Sequence, residues 1–242
     1  MLDLKKGDQA QARQRVEALK AAHPNDPATL TLEGDVLMAT RDYAKAIVAY
    51  ENAAQLKPSN ALALRVYRAR QAASVEHPEQ PLEKWLARHP DDQVVRLVLA
   101  EAYDASGDRA RAIAQYELMQ RNGQQNAIVF NNLAWLYHQQ GDSRAEETAR
   151  QAVALAPRMP AVVDTYAWIL AERGKAEQAV ALYKGLDQPL DDPSAVYHYS
   201  VSMVRAGHKE EGRRKLVQLL EGSPNFREAE EARRLLASLG SG

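Results

Sequence analysis

The chain has 242 residues, 45% of them hydrophobic and 26% charged, which is enough apolar content to bury a core and too much for a disordered chain. Its 31 basic and 32 acidic side chains leave a formal net charge of -1, so neither nucleic acid nor an anionic membrane patch has an electrostatic reason to bind. Without a cysteine, disulfides, thiolate zinc sites and a cysteine nucleophile are excluded, and no apolar run is long enough to span a membrane.

Apolar residues recur at i, i+3, i+4 and i+7, as in Leu30, Gly34 and Leu37 or Ala46, Tyr50 and Ala53, so the elements are helices. In chain order, residues 1–26 hold the end of one helix, closed at Gly7, and a complete second helix over 8–22. The start, MLDLKKGDQA, has no apolar signal core and falls inside a repeat, so the chain is expected to be a piece of a longer repeat protein. Residues 27–60 form a full helix pair. Residues 61–92 are degenerate, with a shortened second helix around PLEKWLARHP. Residues 93–126 form a pair without a closing proline. Three more pairs follow at 127–159, 160–192 and 193–224, and a last helix over 225–239, with one charged face, caps the stack.

Three markers share one period. Small residues stand at Ala12, Ala46, Ala112, Ala145, Ala179 and Gly212, in steps of 34, 66, 33, 34 and 33. Prolines at 24, 58, 90, 157 and 224 and glycines at 7, 107, 141, 174 and 207 keep the same phase. Glycine ends the first helix of a pair in the left-handed conformation that a Cβ penalises. The aspartate after it, in Gly7-Asp8, Gly107-Asp108 and Gly141-Asp142, is placed to cap the second helix. The small residue lets the two helices approach, and proline ends the pair.

These residues resemble the tetratricopeptide repeat, a helix-turn-helix of about 34 residues. The clearest copy is PATLTLEGDVLMATRDYAKAIVAYENAAQLKPSN, residues 27–60. The resemblance implies an all-α solenoid of about 13 to 14 helices wound as a right-handed superhelix, with first helices on its concave side.

Chemistry is sparse. No HExxH, GxSxG, P-loop or GxGxxG occurs, and the six histidines form no ligand pair on one helical face. His23, His77 and His89 each precede a proline and are read as sitting at helix ends. Asp91-Asp92 and Asp191-Asp192 fall in turns and read as caps. The expectation is a non-enzyme with no cofactor and no metal.

The candidate surface is the inner face of three consecutive first helices: Asn131, Asn132, Trp135, His138, Asp164, Trp168, Tyr197 and Arg205. Trp135 and Trp168, one repeat apart, either anchor a ligand or pack as core between neighbouring helices. Asn131 and Asn132 either bond the backbone of a bound peptide or make caps and inter-repeat bonds. Asp35, Glu101 and Asp164 stand where a carboxylate-binding clamp needs cations, so the groove suits a basic or apolar extended segment.

The stretch NNLAWLYHQQGDSRAEETARQAVALAPRMPAVVDTYAWIL, residues 131–170, resembles the C-terminal repeats of bacterial lipoproteins encoded with exosortase (PEP-CTERM) and exopolysaccharide systems. That resemblance implies a periplasmic, outer-membrane-associated scaffold for exopolysaccharide export or protein sorting, with a cytoplasmic location as the alternative. The function expected is protein–protein interaction. The competing readings are a structural spacer or self-assembly module, and a surface where Trp135, Trp168 and Tyr197 stack on a polysaccharide.

Overall fold

A computed structural model describes residues 6–123 and 125–240. The described residues form fourteen α-helices and no strand. They are α1 (Lys6–Ala22), α2 (Pro27–Ala39), α3 (Tyr43–Leu56), α4 (Asn60–Ala72), α5 (Gln80–Arg88), α6 (Gln93–Ala105), α7 (Arg109–Arg121), α8 (Ala127–Gln139), α9 (Ala145–Leu155), α10 (Pro160–Glu172), α11 (Ala176–Lys184), α12 (Pro193–Arg205), α13 (Lys209–Gly222) and α14 (Ala229–Leu239). They divide into two compact units, residues 1–115 and 116–242. The division falls within α7.

In the first unit α2 packs on α3, α3 on α4, α4 on α5 and α5 on α6. In the second, α8 pairs with α9, α10 with α11 and α12 with α13, and α10 also packs directly on α8 and α12. The seams are closed by the small residues of the period. Ala46, Ala112, Ala145 and Ala179 are fully buried, and so are Ala100, Ala134, Ala167 and Ser200 one element earlier. Two glycines fix the limit of approach. A Cβ on Gly34 would lie 2.3 Å from the Tyr50 ring, and one on Gly212 would lie 2.9 Å from the Ser200 carbonyl oxygen. The helix pair there is closer than any other residue permits.

The turns follow the local chemistry. Gly141 takes φ 69°, and the following Asp142 accepts a hydrogen bond from the Arg144 N–H at 2.9 Å. Asp108 likewise accepts from the Arg111 N–H at 3.0 Å. In the α2–α3 turn Arg41 occupies the glycine's place at φ 62°, so the turn holds its shape without the favoured residue. Asp92 and Asp192 cap α6 and α12, accepting from the Val95 and Ser194 N–H groups at 3.1 and 3.4 Å.

A side-chain clamp repeats with the period. The Tyr103 hydroxyl donates to Glu83 at 2.5 Å, and the Arg111 guanidinium lies 4.3 Å over the Tyr103 ring, within reach of Glu83 and Asp108. Tyr137 donates to Glu117 at 2.7 Å, and Arg144 lies 4.1 Å over its ring, paired with Glu117 and Asp142. Each clamp ties a second helix to the next first helix and its turn. Burial and the adjacent Glu83 carboxylate push the Tyr103 phenol up to about 12, so it stays a donor.

Three local expectations need correction. Gly7 does not end a helix: α1 runs through it from Lys6, while residues 1–5 and the Asp8 side chain lie outside the described residues. The terminal helix begins at Ala229 rather than at residue 225, because residues up to Glu228 form a turn that packs Phe226 against Tyr197. His77 is not at a helix end. It sits in the α4–α5 linker at φ 50°, with Nδ1 3.4 Å from the Glu79 carboxylate.

Candidate partner-binding surface

Within the second unit, α8, α10 and α12 carry all eight candidate residues, and their contacts join most of them. Asp164, one turn into α10, accepts the Tyr183 hydroxyl of α11 at 2.7 Å and lies 3.0 Å from His198 Nδ1 of α12. His198 stacks on Trp168 with centroids 4.1 Å apart and planes 26° from parallel. Trp168 also meets Tyr197 at 6.4 Å, and the Arg205 guanidinium lies 5.5 Å from its centroid while pairing with Glu172. Asp164, Trp168, Tyr197 and Arg205 therefore belong to one contact network spanning α10 and α12. Its members differ in exposure: Tyr197 is buried, Asp164 and Trp168 are half-buried, and Arg205 is exposed.

The α8 members are less engaged. Trp135 is half-buried, and its ring partner is His138 on the next turn, 5.8 Å away and tilted. No ring contact joins Trp135 to Trp168 among the described residues. Burial holds His138 below the usual histidine range, aided by Arg173 and His198 and opposed by Glu172. Asn132 Nδ2 donates to the Tyr116 hydroxyl of α7 at 3.1 Å, so its amide makes an inter-helix bond. Asn131 reaches Asn132 at a long 3.4 Å, and its own Oδ1 is buried with no protein partner. Such an orphan acceptor costs roughly 1–3 kcal/mol until something donates to it.

His198 is the central residue that the sequence reading passed over. A signal existed: Asn132, Thr165 and His198 fall at steps of 33, a polar series at one position of three successive first helices. Thr165 and His198 are buried. Two of the acidic side chains are internally engaged: Asp164 with His198 and Tyr183 in this unit, and Asp35 with Tyr50 and the Arg65 cation in the first. No described helix is long and apolar enough to cross a membrane.

With this geometry in view, residues 28–60 match the family model described as "Tetratricopeptide repeat". That helix pair is a tetratricopeptide repeat. The fold of the chain as a whole is shared with tetratricopeptide-repeat proteins of known structure. The C-terminal part of such a protein from Cytophaga hutchinsonii superposes with a TM-score of 0.69 at 14% identity, over 93% of this chain and 94% of that one. Pseudomonas aeruginosa pilF gives 0.67 at 16% identity, over 93% and 98%. Cut9–Hcn1 of the APC/C gives 0.67 at 14% identity over 96% of this chain, which spans only 46% of that one. No curated protein matches the sequence.

Proposed function

We propose that the chain is a non-catalytic scaffold whose α8–α10–α12 face holds an extended segment of a protein partner. The observation that carries this is the run of half-buried aromatic and hydrogen-bonding side chains on three successive first helices. At its α8 end Trp135 meets only the His138 ring, and the Asn131 amide nitrogen makes only a long 3.4 Å bond to Asn132. An aromatic anchor beside an amide that can bond backbone is the composition an extended peptide needs. Asp164, Trp168, Tyr197 and Arg205 then act mainly by holding α10 and α12 in register, and Trp135, Asn131 and His138 make the contact.

The proposal extends to a bacterial periplasmic assembly at the outer membrane, serving exopolysaccharide export or protein sorting. The likeness of residues 131–170 to the exosortase-linked lipoproteins supports it. So does the presence of PilW, a type IV pilus biogenesis factor, among proteins of similar fold, at TM-score 0.65 and 17% identity over 85% of this chain and 97% of that one. The polysaccharide alternative is weakened, because a sugar needs a free aromatic face and Trp168 already spends its ring on His198 and Arg205. The same internal use favours the spacer reading for the α10–α12 part of the stripe.

A photo-crosslinking amino acid at position 135, introduced into the protein in its source cells, tests the scaffold reading. A discrete crosslinked partner, lost with Asn131→Ala and absent when the probe sits at exposed Val48, is the expected result. Identical crosslinks from both positions would remove the α8 face from the site and leave the spacer reading. Fractionation of the same cells checks the compartment, and recovery in the cytosol would overturn the periplasmic part.

A further inference from the structure

The first unit carries a groove that shares no residue with the stripe. It lies between the end of α3, one side of α4 and one face of α5, with a volume of about 810 Å³. Its origin is the degenerate repeat. Helix α5 has nine residues against fourteen in α3, and the linker before it turns through left-handed residues at Ser74 and His77. The short helix leaves a cleft above α4, where Val66 and Ala63 are buried. Ala54, Pro58 and Pro81 contribute its apolar surface, and Trp85 adds an aromatic wall. That wall is rigid: the indole donates to Asp92 at 2.8 Å and stacks on His89 at 3.9 Å.

The charge around this apolar floor is one-sided. Arg70, Lys84 and Arg88 line the groove, and Glu51 is the one carboxylate among the lining residues. Glu51 stands 4.0 Å from an Arg70 terminal nitrogen, at the limit of an ion pair. The Arg70 Nε is buried and has no partner. The Lys84 and Arg88 side chains make no ion pair or hydrogen bond among the described residues. A chain with net charge -1 has carboxylates to spare, yet none is placed against these two cations.

We propose that this groove binds a short acidic segment of a protein partner, with one apolar side chain on the floor beside Trp85 and flanking carboxylates on Lys84, Arg88 and Arg70. The volume, within the roughly 300–1,000 Å³ of small-molecule pockets, holds one or two side chains and no more of a peptide. The pairing of apolar floor and cationic rim selects a carboxylate-bearing segment over a neutral or basic one. This surface does not depend on the α8 face, and either can fail without the other.

The test selects a display library of random peptides against the full chain and measures the enriched peptides in solution by fluorescence anisotropy. Enrichment should favour Asp and Glu next to Leu, Ile or Phe. Affinity should fall at least about tenfold in the double variant Lys84→Glu, Arg88→Glu and weaken steeply with salt. The neutral pair Lys84→Gln, Arg88→Gln serves if charge reversal disturbs folding, and Trp135→Ala should leave binding unchanged. Three results would overturn the proposal. One is enrichment without acidic residues, or no enrichment at all. Another is equal affinity for the parent and the charge variants. The third is displacement of the peptide by a small aryl carboxylate at the peptide's own affinity, which would make the groove a small-anion site. Sedimentation of the chain alone completes the set: self-association abolished by the charge variants would mean that a second copy covers the groove.

Discussion

The α10–α13 region and the α3–α5 region are built from the same helix-turn-helix pattern, and they handle surface differently. In α10–α13 the polar and aromatic side chains of successive helices satisfy one another: Asp164 with Tyr183 and His198, Trp168 with His198, Arg205 with Glu172. In α3–α5 the shortened helix leaves an apolar floor open and two cations unpaired. Regular repeat length lets each first helix find its predecessor's side chains in register. A repeat whose second helix is cut short loses that register and gains a cleft.

The largest effect expected of this contrast is at the α12–α13 seam, where the close neighbour is backbone. Gly212→Val places a Cβ against the Ser200 carbonyl oxygen, which backbone cannot yield cheaply, and should cost about 3 kcal/mol. Urea unfolding measures it, and a midpoint equal to the parent's would show that α12 and α13 are not packed as closely as described.

Trp168→Ala comes next. If the ring is spent on α10–α12 packing, its loss should cost roughly 2 kcal/mol, and Trp135→Ala under about 1 kcal/mol. Equal costs would erase the distinction between a packed and a free end of the stripe. A smaller change is Tyr183→Phe, which removes one donor from Asp164 and leaves His198 to satisfy it. A thermal melt should show a loss of about 1–2 kcal/mol.

The smallest effect is a pH dependence. Burial lowers the folded pKa of His138 below its ordinary value of 6.5. The unfolded chain therefore binds more protons than the folded one as pH falls through 6.5, so the contribution of this site is present above that value and lost below it. Denaturant titrations at a series of pH values should show a shallower acid-side loss in His138→Gln than in the parent. Parallel profiles would mean that His138 is hydrated as freely as in the unfolded chain.

Much of the fold was legible in the sequence, because a repeat writes its packing constraints many times. The period of 33 to 34 residues located Ala12, Ala46, Ala112, Ala145, Ala179 and Gly212, and all but the half-buried Ala12 are buried at seams. Helix caps at Asp108 and Asp92 follow from local hydrogen bonding and needed no tertiary information, whereas Asp142, read as a cap, bonds only the turn before α9. What tertiary structure alone decided is which half-buried side chains are already spoken for. Trp135 and Trp168 hold equivalent places in one periodic pattern, yet only Trp168 has a histidine and an arginine of the next repeat against its ring. The groove beside α5 was equally invisible. It arises from a helix that ends early against neighbours of full length, and the space left between them depends on three elements at once, whereas sequence periodicity describes one element at a time.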